Sequence, residues 1–545
     1  MLLLYLNERD CYVAIPPMAD PGGLLLSART IAMSDLRPSV PVGQSVCLIV
    51  PPSAFLLDER VFVSLGILKV AASLEARGYR VNLLDLSGVE NFLAPLTDYL
   101  TASSDAAIGI TATTPQLPAV IQIAKTIGEI RPDMKVILGG PHVTLVCSAR
   151  KLEAKRGVHD GRAHRAAAQL ENLFDVLCSG DGELAIFEAL KPDCDKIIDG
   201  DDPKGGLFLT DQMFTDSPQP ARHLVDMTSY KYRIEGERAT SLIAQLGCPF
   251  GCGFCGGRNS KSLRLIRNRS VESIVGEVER LHRDYGYTGF MFYDDELNVS
   301  KSLVELLNEL SELQSRLGVD FRLRGFVKSE LFNEEQAAAM YRAGFRWLLC
   351  GFEAANPRIL QNIDKRATLG DNTRCVEFAK KHGLKVKALM SVGHPGESAE
   401  TIDDVEKWLI QHDVEDFDCT VITTYPGTPY YDLATRHPEQ PNVWTYTHRQ
   451  TGDRLHAYEV DYTVCADYYK GDPQGGYRSF VFTDHLSAEE IVRLRDKVEN
   501  NVRTKLDIPF NPGAATMRYE HSMGQGLPDF IHRMSESNRQ IAAAR

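Results

Sequence analysis

The sequence predicts an α/β protein in which two domains of alternating strands and helices are followed by a C-terminal extension. Three observations support this prediction. Short apolar runs alternate with single segments of helical spacing in residues 42–200, the alternation resumes with longer helices in residues 239–435, and the residues between keep no period. Strands joined by single helices favour parallel pairing through right-handed crossovers. We therefore expect a doubly wound parallel sheet first and a partial (β/α)6 barrel second.

The first domain is predicted to contain a Rossmann-like sheet. Its first four strands are Val46–Val50, Val81–Leu86, Ala106–Ile110 and Val136–Leu138. Ligands of such sheets bind beyond the carboxyl ends of the strands. Two of those ends carry small and hydroxyl-bearing residues, Thr111–Thr114 and Gly139–His142, which let a ligand approach the backbone closely.

The second domain is predicted to contain six β/α units. Ser270 can cap a helix whose apolar residues share one face and which ends near Gly286. Six units close only part of a barrel and leave a lateral opening, and chemistry is expected at the carboxyl ends of the strands. The six strands are Ser241–Gln245, Gly289–Tyr293, Phe321–Val327, Trp347–Phe352, Lys385–Val392 and Phe417–Thr423.

Three cysteines with the spacing C-x3-C-x2-C follow the first strand of the barrel: Cys248, Cys252 and Cys255. Thiolates at this density select zinc or an iron-sulfur cluster. A structural zinc site needs a fourth Cys or His, and none follows at the usual spacing. Three ligands on a four-iron cluster leave one iron open to a substrate. A zinc knuckle or three unconnected buried thiols is the alternative.

Polar residues end the other barrel strands, where a packed core would be apolar. Carboxylates suit ammonium and hydroxyl groups, and arginines suit a carboxylate. Capping of the next helix and ion pairs along a strand are the simpler explanations of the same residues. The residues are Asp294, Asp295, Glu296, Arg322, Arg324, Glu353 and the stretch Ser391–Glu397.

Composition narrows the class of protein. The 545 residues are 43% hydrophobic and 24% charged, as in ordinary globular proteins, and the net charge of -13 argues against a protein that grips nucleic acid. A small-molecule or peptide substrate is the better expectation. We find no signal peptide core and no run of transmembrane length. The other nine cysteines are scattered, which favours free thiols in a reducing compartment and predicts a cytoplasmic protein.

The cysteine motif resembles the signature of the radical S-adenosylmethionine (radical SAM) family. In that family the three cysteines hold a [4Fe-4S] cluster whose open iron binds SAM. The resemblance implies that an aromatic residue beside the last cysteine and polar residues at the strand ends contact SAM. By position these are Phe254, Asp295, Glu296, Arg324, Glu353, Ser391 and Gly393.

The first domain resembles the cobalamin-binding domain that precedes some radical SAM domains. The resemblance implies cobalamin contacts at Gly109, Thr111, Thr113, Gly139, Gly140 and His142. The upstream motif departs from the family, because Val61 and Val63 stand where the family has Asp and His. The family's histidine ligand of cobalt is therefore missing, and a sheet that binds no cofactor is the alternative.

Together the resemblances imply a cobalamin-dependent radical SAM enzyme, most often a methyltransferase acting on an unactivated carbon. Such an enzyme needs an external electron donor of the flavodoxin or ferredoxin type. Cyclisation or rearrangement without methyl transfer is a second possibility, and a cobalamin- or metal-sensing module is the non-enzymatic one.

The predicted domain boundaries follow from these assignments. The tyrosine-rich C-terminal extension either covers the open side of the barrel or packs against it. The predicted parts are an N-terminal extension (1–41), a cobalamin-binding-like domain (42–200), a linker (201–238), a radical SAM partial barrel (239–435) and the C-terminal extension (436–545).

Overall fold

A computed structural model describes residues 3–6, 12–15, 44–53, 60–465, 468–469 and 476–508. Most of the predicted N-terminal extension and the last part of the C-terminal extension, 509–545, lie outside the described residues. Within the N-terminal extension, strands β1 (Leu3–Leu6) and β2 (Tyr12–Ile15) pair antiparallel. The chain divides into two compact units. The N-terminal unit comprises Met1–Ser53, Ser64–Ser229 and Ser260–Ser262, and the C-terminal unit comprises Ala54–Val63, Tyr230–Asn259 and Leu263–Arg545.

The N-terminal unit is a six-stranded parallel sheet with helices between the strands, which confirms the predicted doubly wound fold. The strands are β3 (Ser45–Val50), β4 (Arg80–Asp85), β5 (Ala107–Thr111), β6 (Lys135–Gly139), β7 (Val176–Gly180) and β8 (Ile197–Gly200). The helices are α1 (Leu65–Ala76), α2 (Leu93–Ala102), α3 (Leu117–Ile130), α4 (Pro141–Lys155), α5 (Arg162–Leu173), α6 (Gly182–Ala189) and α7 (Asp211–Asp216). The strand order is β4-β3-β5-β6-β7-β8, so the order reverses beside β3. A reversal of this kind creates a ligand-binding crevice at the carboxyl ends of β3 and β5.

The C-terminal unit is built on a seven-stranded sheet of order β17-β16-β15-β14-β13-β10-β9. Its strands are β9 (Arg233–Ile234), β10 (Glu237–Leu242), β13 (Gly289–Phe292), β14 (Arg322–Phe326), β15 (Phe345–Glu353), β16 (Lys385–Val392) and β17 (Asp416–Val421). Strands β10 and β13–β17 are parallel, which confirms the predicted partial barrel of six units, and β9 adds an antiparallel edge. A short antiparallel pair, β11 (Gln245–Leu246) and β12 (Arg267–Asn268), brackets the cysteine loop.

Helices follow the strands of this sheet along the chain. The Ser270 side chain accepts a hydrogen bond from the Ser273 N–H at 3.2 Å at the start of the first of them, and Gly286 ends it with φ 70°, as the sequence predicts. The helices are α8 (Val271–Tyr285), α9 (Leu303–Leu317), α10 (Glu334–Arg342), α11 (Pro357–Ile363), α12 (Leu369–Lys381), α13 (Ala399–His412) and α14 (Pro429–Asp432). In the part of the chain that the structure describes, no helix has the length and apolar character needed to cross a bilayer.

The C-terminal extension adds a four-stranded antiparallel sheet and helix α15 (Ala488–Lys505). The strands are β18 (Thr435–Arg436), β19 (Val443–Thr447), β20 (Arg454–Tyr458) and β21 (Val481–Thr483). Helix α15 packs along the barrel's edge strand, β17. The Glu499 carboxylate accepts from the Cys419 N–H at 2.9 Å, and Arg495 Nε donates to the Cys419 carbonyl at 2.7 Å. Side chains thus satisfy backbone groups that another strand would otherwise pair with.

Candidate active site

The three cysteines lie in the loop between β11 and β12. Cys252 is buried, whereas Cys248 and Cys255 are half-buried, and none of the three forms a disulfide. Burial raises the pKa of the Cys255 thiol to about 12 and also raises the pKa of Cys248. The loop therefore favours neutral thiols, and a bound metal would have to displace the protons.

Gly253 fixes the position of this loop against the rest of the unit. Its N–H donates to the Ile363 carbonyl at 2.7 Å, and its carbonyl accepts from the Tyr430 N–H at 3.0 Å. A Cβ atom at Gly253 would overlap the ring of Tyr430. Only glycine allows this close approach, which holds Cys252 beside the C-terminal end of α11.

Arg258 organises the same loop from within. Its guanidinium donates to the carbonyls of Cys248 at 3.0 Å, Gly256 at 3.3 Å and Phe250. Arg258 is only 7% exposed, and its charge lowers the pKa of Cys248 and Cys255 against the effect of burial. A buried cation beside the three cysteines favours the thiolate form that metal binding requires.

The stretch after β13 contains three carboxylates in a row. Asp294 is buried and has a structural role, whereas Asp295 and Glu296 are more accessible. Asp294 is buried and accepts from the Ala244 N–H at 3.1 Å and from the Gln245 N–H. Asp295 is exposed to solvent, yet desolvation by the surrounding protein raises its pKa, as expected for a side chain in a cleft. Burial raises the pKa of Glu296 to about 7, and Lys365 is the main opposing charge.

A directed chain of hydrogen bonds links the ends of β15 and β16. Glu353 has φ 64°, an uncommon backbone conformation for a residue with a side chain. Its carboxylate meets Lys365 Nζ at 3.1 Å and accepts from Ser391 Oγ at 2.8 Å. Because the Ser391 hydroxyl has one proton, His394 Nε2, 2.8 Å from Ser391 Oγ, must be the donor in that pair. Burial lowers the pKa of His394 to about 3, so its ring is neutral.

The turn after β16 is held by a second buried carboxylate. Glu397 accepts from the His394 N–H at 2.9 Å and from the Gly393 N–H, and burial raises its pKa to about 7. Gly393 has φ 93° and packs against Val481 of the C-terminal extension. The ring of Phe254 lies 5.6 Å from the ring of His394, which places the aromatic residue of the cysteine loop beside this turn.

Arg324 is separate from the residues that these contacts connect. Its neighbours across the sheet are Met291 and Trp347, and β14 continues for two residues beyond it. The Arg324 guanidinium lies 5.7 Å from the Trp347 ring, and its Nε and Nη2 have no hydrogen-bond partner among the described residues. Unlike Glu353, Ser391 and Gly393, Arg324 therefore points from within a strand rather than from its end.

Two buried lysines of the site were not predicted from the sequence. Lys328 follows β14 and is 1% exposed, and Lys365 lies between α11 and α12 and is 4% exposed. Neither belongs to a motif. Lys328 carries one signal in the sequence, its position directly after the predicted strand Phe321–Val327.

In the N-terminal unit, two of the predicted cobalamin contacts are packed directly against each other. Gly140 has φ 92°, and a Cβ atom there would lie 2.6 Å from Thr111 Oγ1 and 2.7 Å from the Ala112 nitrogen. Gly139 pairs with Thr111 across β5 and β6. The carboxyl ends of these strands therefore present nearly bare backbone to a ligand.

The remaining predicted cobalamin contacts have structural partners. His142 is 2% exposed, its Nδ1 lies 3.0 Å from Thr114 Oγ1, and burial lowers its pKa to about 4. Thr113 caps a short helical turn by bonding Gln116. Gly109 packs closely on Leu48 in the middle of the sheet.

The donor set of the cysteine loop fits an iron-sulfur cluster. It offers three sulfur ligands, and basic groups in and beside the loop balance the negative charge that thiolates bring. The described residues contain no group of three or more His, Cys, Asp or Glu side chains close enough to share a single metal ion.

Family models match both units. The model of the B12 binding domain matches residues 59–171, and the model of the radical SAM superfamily matches residues 242–409. The chain therefore combines a B12 binding domain with a radical SAM domain, as cobalamin-dependent radical SAM enzymes do. The radical SAM match begins within β10 and includes the cysteine loop and the ends of β13–β16, where most of the candidate SAM-binding residues lie.

Three relatives cover most of this radical SAM enzyme. The uncharacterized methyltransferase PH0819 of Pyrococcus horikoshii is 27% identical over 408 residues, which are 71% of this chain and 83% of the relative. The hopanoid C-3 methylase of Methylococcus capsulatus is 26% identical over 398 residues, 70% of this chain and 71% of the relative. The anaerobic magnesium-protoporphyrin IX monomethyl ester cyclase of Rubrivivax gelatinosus is 25% identical over 358 residues, 62% of this chain and 60% of the relative.

Two solved structures share the fold. The radical S-adenosylmethionine methyltransferase TsrM from Kitasatospora setae, with cobalamin and a [4Fe-4S] cluster bound, matches with a TM-score of 0.58 and 18% identity over 92% of this chain and 100% of that chain. The cobalamin-dependent S-adenosylmethionine radical enzyme OxsB, with aqua-cobalamin and S-adenosylmethionine bound, matches with a TM-score of 0.52 and 14% identity over 69% of this chain and 53% of that chain. These likenesses show the arrangement of elements within each unit.

Proposed function

We propose that this enzyme is a cobalamin-dependent radical SAM methyltransferase that acts on an unactivated carbon of a small-molecule or peptide substrate. The observation that carries the proposal is a three-cysteine loop at the carboxyl ends of a partial barrel in a chain that also has a B12 binding domain. The relatives PH0819 and hopanoid C-3 methylase and the structural neighbour TsrM are methyltransferases by name, which favours methyl transfer.

In this proposal, separate sets of residues hold the [4Fe-4S] cluster and cobalamin. Cys248, Cys252 and Cys255 hold the [4Fe-4S] cluster, and the carboxyl ends of β5 and β6 hold cobalamin within residues 42–200. When bound, the cluster supplies one-electron reduction, and cobalamin supplies methyl transfer. The cluster receives its electron from an external donor of the flavodoxin or ferredoxin type.

The protein's own contribution at the SAM site is orientation. Lys365 fixes one carboxylate oxygen of Glu353, and Ser391 fixes the other, so the side chain is held before a ligand arrives. The neutral ring of His394 holds its Nε2 proton toward Ser391 and adds no charge. We propose that SAM contacts Glu353, Ser391 and Gly393. The same role is proposed for Phe254, Asp295, Glu296 and, less directly, Arg324.

On the cobalamin side, Thr111, Gly139 and Gly140 are proposed to face the cofactor. His142 is buried and bonded to Thr114, and we propose that it supports this edge of the sheet rather than ligating cobalt. We propose an indirect role for Gly109 and Thr113. Gly109 allows close packing within the sheet, and Thr113 caps the short helical turn that follows β5.

The test is anaerobic reconstitution with iron, sulfide and hydroxocobalamin, followed by incubation with dithionite as the reductant and with SAM that carries a labelled methyl group. The dithionite supplies the electrons that the cluster and cobalamin both require. We expect the visible spectra of both chromophores, S-adenosylhomocysteine as a product and label on cobalamin. A protein that binds both groups but forms no S-adenosylhomocysteine and transfers no label would contradict the proposal. The same result with 5'-deoxyadenosine as a product would favour cyclisation or rearrangement, for which the Rubrivivax cyclase is the precedent by name.

A further inference from the structure

Lys328 and Lys365 are fully buried cations in one corner of the barrel. They are 1% and 4% exposed. Burying an ammonium group costs several kcal/mol unless charges or dipoles compensate it. The two lysines are also joined, because Lys328 Nζ donates to the Lys365 carbonyl at 2.9 Å. Two ammonium groups buried this close together are costly, so we expect their charge to act on a nearby group.

Lys328 lies against the cysteine loop. Its Nζ is 4.2 Å from the centre of the Phe250 ring, and Phe250 packs in the same apolar cluster as Cys252. Its carboxylate neighbour is Glu330, whose oxygen is 3.5 Å away, beyond a short ion pair. At short range the ammonium is thus compensated by one ring, one carbonyl and one loosely placed carboxylate, and Glu296 is a further carboxylate that acts on it. Neither of these carboxylates forms a short ion pair with Lys328 among the described residues, so part of its charge is left to act on the cysteine loop.

Lys365 is connected to the same loop through the backbone near Cys252. Two residues before it, the Ile363 carbonyl accepts the 2.7 Å hydrogen bond from Gly253, the residue after Cys252. Lys365 is paired with Glu353 at 3.1 Å, so its charge is more fully balanced than that of Lys328. A negative charge on Cys252 raises the pKa of both lysines, which is the effect expected of ammonium groups near that sulfur.

We propose that this lysine pair raises the reduction potential of the cluster held by the cysteine loop, with Lys328 as the dominant charge. Reduction adds one negative charge to the cluster, and a buried cation nearby stabilises that charge more than it stabilises the oxidised form. The cluster is thereby easier to reduce before SAM binds. This inference rests on the proposed function, since it requires the [4Fe-4S] cluster.

The experiment is a redox titration of the reconstituted full-length protein without SAM, followed by the electron paramagnetic resonance (EPR) signal of the reduced cluster. We expect a lower midpoint potential in Lys328→Met and a smaller decrease in Lys365→Met. Lys328→Arg should keep the potential near that of the wild type. Glu330→Gln should raise it, because it removes a negative charge from beside Lys328 and leaves the lysine in place. Lys381→Met is the control, since that lysine is exposed and pairs with Glu334 at 2.6 Å.

Opposite shifts in Lys328→Met and Glu330→Gln support the inference, because structural damage would not reverse sign between them. Iron content of each variant shows whether it holds the cluster, and if Lys328→Met loses it, Glu330→Gln still decides. Unchanged potentials in variants that hold the cluster would overturn the inference and leave the proposed function standing. A wild-type protein without a [4Fe-4S] signal would overturn both.

Discussion

The buried carboxylate of Asp294 accepts a hydrogen bond from the backbone N–H of Ala244 at 3.1 Å. Asp294 follows β13, and Ala244 precedes the cysteine loop, so this bond joins two neighbouring strand ends at the site. The same carboxylate also accepts from the Gln245 N–H. A residue that belongs by position to the proposed SAM-binding stretch therefore holds the backbone that leads to the proposed cluster ligands.

We predict that Asp294→Ala destabilises the C-terminal unit, because it leaves the buried N–H groups of Ala244 and Gln245 without their acceptor. The loss should be about 3 kcal/mol in the free energy of unfolding. Asp294→Asn keeps one acceptor oxygen and should lose less. Denaturant unfolding of the metal-free protein measures both. Asp295→Ala is the matched control and should stay within about 0.5 kcal/mol of the wild type, since Asp295 is exposed. An equal loss in the Asp294 and Asp295 alanine variants would contradict this assignment.

Two glycines of the cysteine loop should differ in what they tolerate. Gly253→Ala places a methyl group on the ring of Tyr430, whereas a Cβ atom at Gly251 meets no atom within 4 Å. We expect Gly253→Ala to lose most of its cluster and Gly251→Ala to keep it, because only the first displaces Cys252. Iron and sulfide content after reconstitution is the measurement. Full iron content in Gly253→Ala would show that the loop does not need this close approach.

In the N-terminal unit, Gly140→Ala should weaken cobalamin binding by at least about tenfold, which corresponds to about 1.4 kcal/mol. The methyl group would lie 2.6 Å from Thr111 Oγ1, and φ 92° disfavours any residue other than glycine. Gly128→Ala in α3 is the control, because a Cβ atom there meets nothing within 4 Å. Titration with hydroxocobalamin, followed by absorbance, gives the affinities. Equal affinities in the two variants would place the cofactor elsewhere.

Glu397 should make stability depend on pH. Its folded-state pKa of about 7 lies above the ordinary value of 4.5, so between these pH values the folded protein holds a proton that the unfolded chain has lost. Stability therefore falls as the pH rises through this window, by at most about 1.4 kcal/mol per pH unit. Glu397→Gln should lack this contribution, since one oxygen of Glu397 accepts both backbone bonds.

The measurement for Glu397 is denaturant unfolding of the metal-free wild type and Glu397→Gln at pH 5, 6 and 7. The difference between the two proteins isolates Glu397, because the contributions of other buried carboxyl groups cancel. We expect the variant to gain stability relative to the wild type as the pH rises. Parallel curves would mean that the carboxyl group titrates normally.

The order of elements was predictable because strand and helix periods differ and because chemistry in such sheets gathers at the carboxyl ends of strands. The cap at Ser270 and the six parallel barrel strands show this directly. The different roles of neighbouring residues at one strand end were not predictable. Asp294 and Asp295 are adjacent and identical in type, and only the fold turns the first to the backbone and the second to the cleft.

The buried charged residues of α15 show a second limit of prediction from the sequence. A helix with Arg495, Glu499 and Arg503 at spacings of four residues has the pattern of a solvated face, yet all three are buried against β17. Lys328 and Lys365 were missed for the same physical reason. Charged residues are assigned to the surface unless their partners are known, and these partners are distant in the sequence.

In the proposed function, the three thiols of the cysteine loop leave one iron of the cluster open to SAM. The most direct test is the EPR spectrum of the reduced, reconstituted protein before and after addition of SAM, with Cys252→Ala as the reference. We expect a [4Fe-4S] signal whose g values change when SAM is added, and no such signal in Cys252→Ala. A wild-type spectrum that SAM leaves unchanged, or an equal signal in Cys252→Ala, would contradict the account.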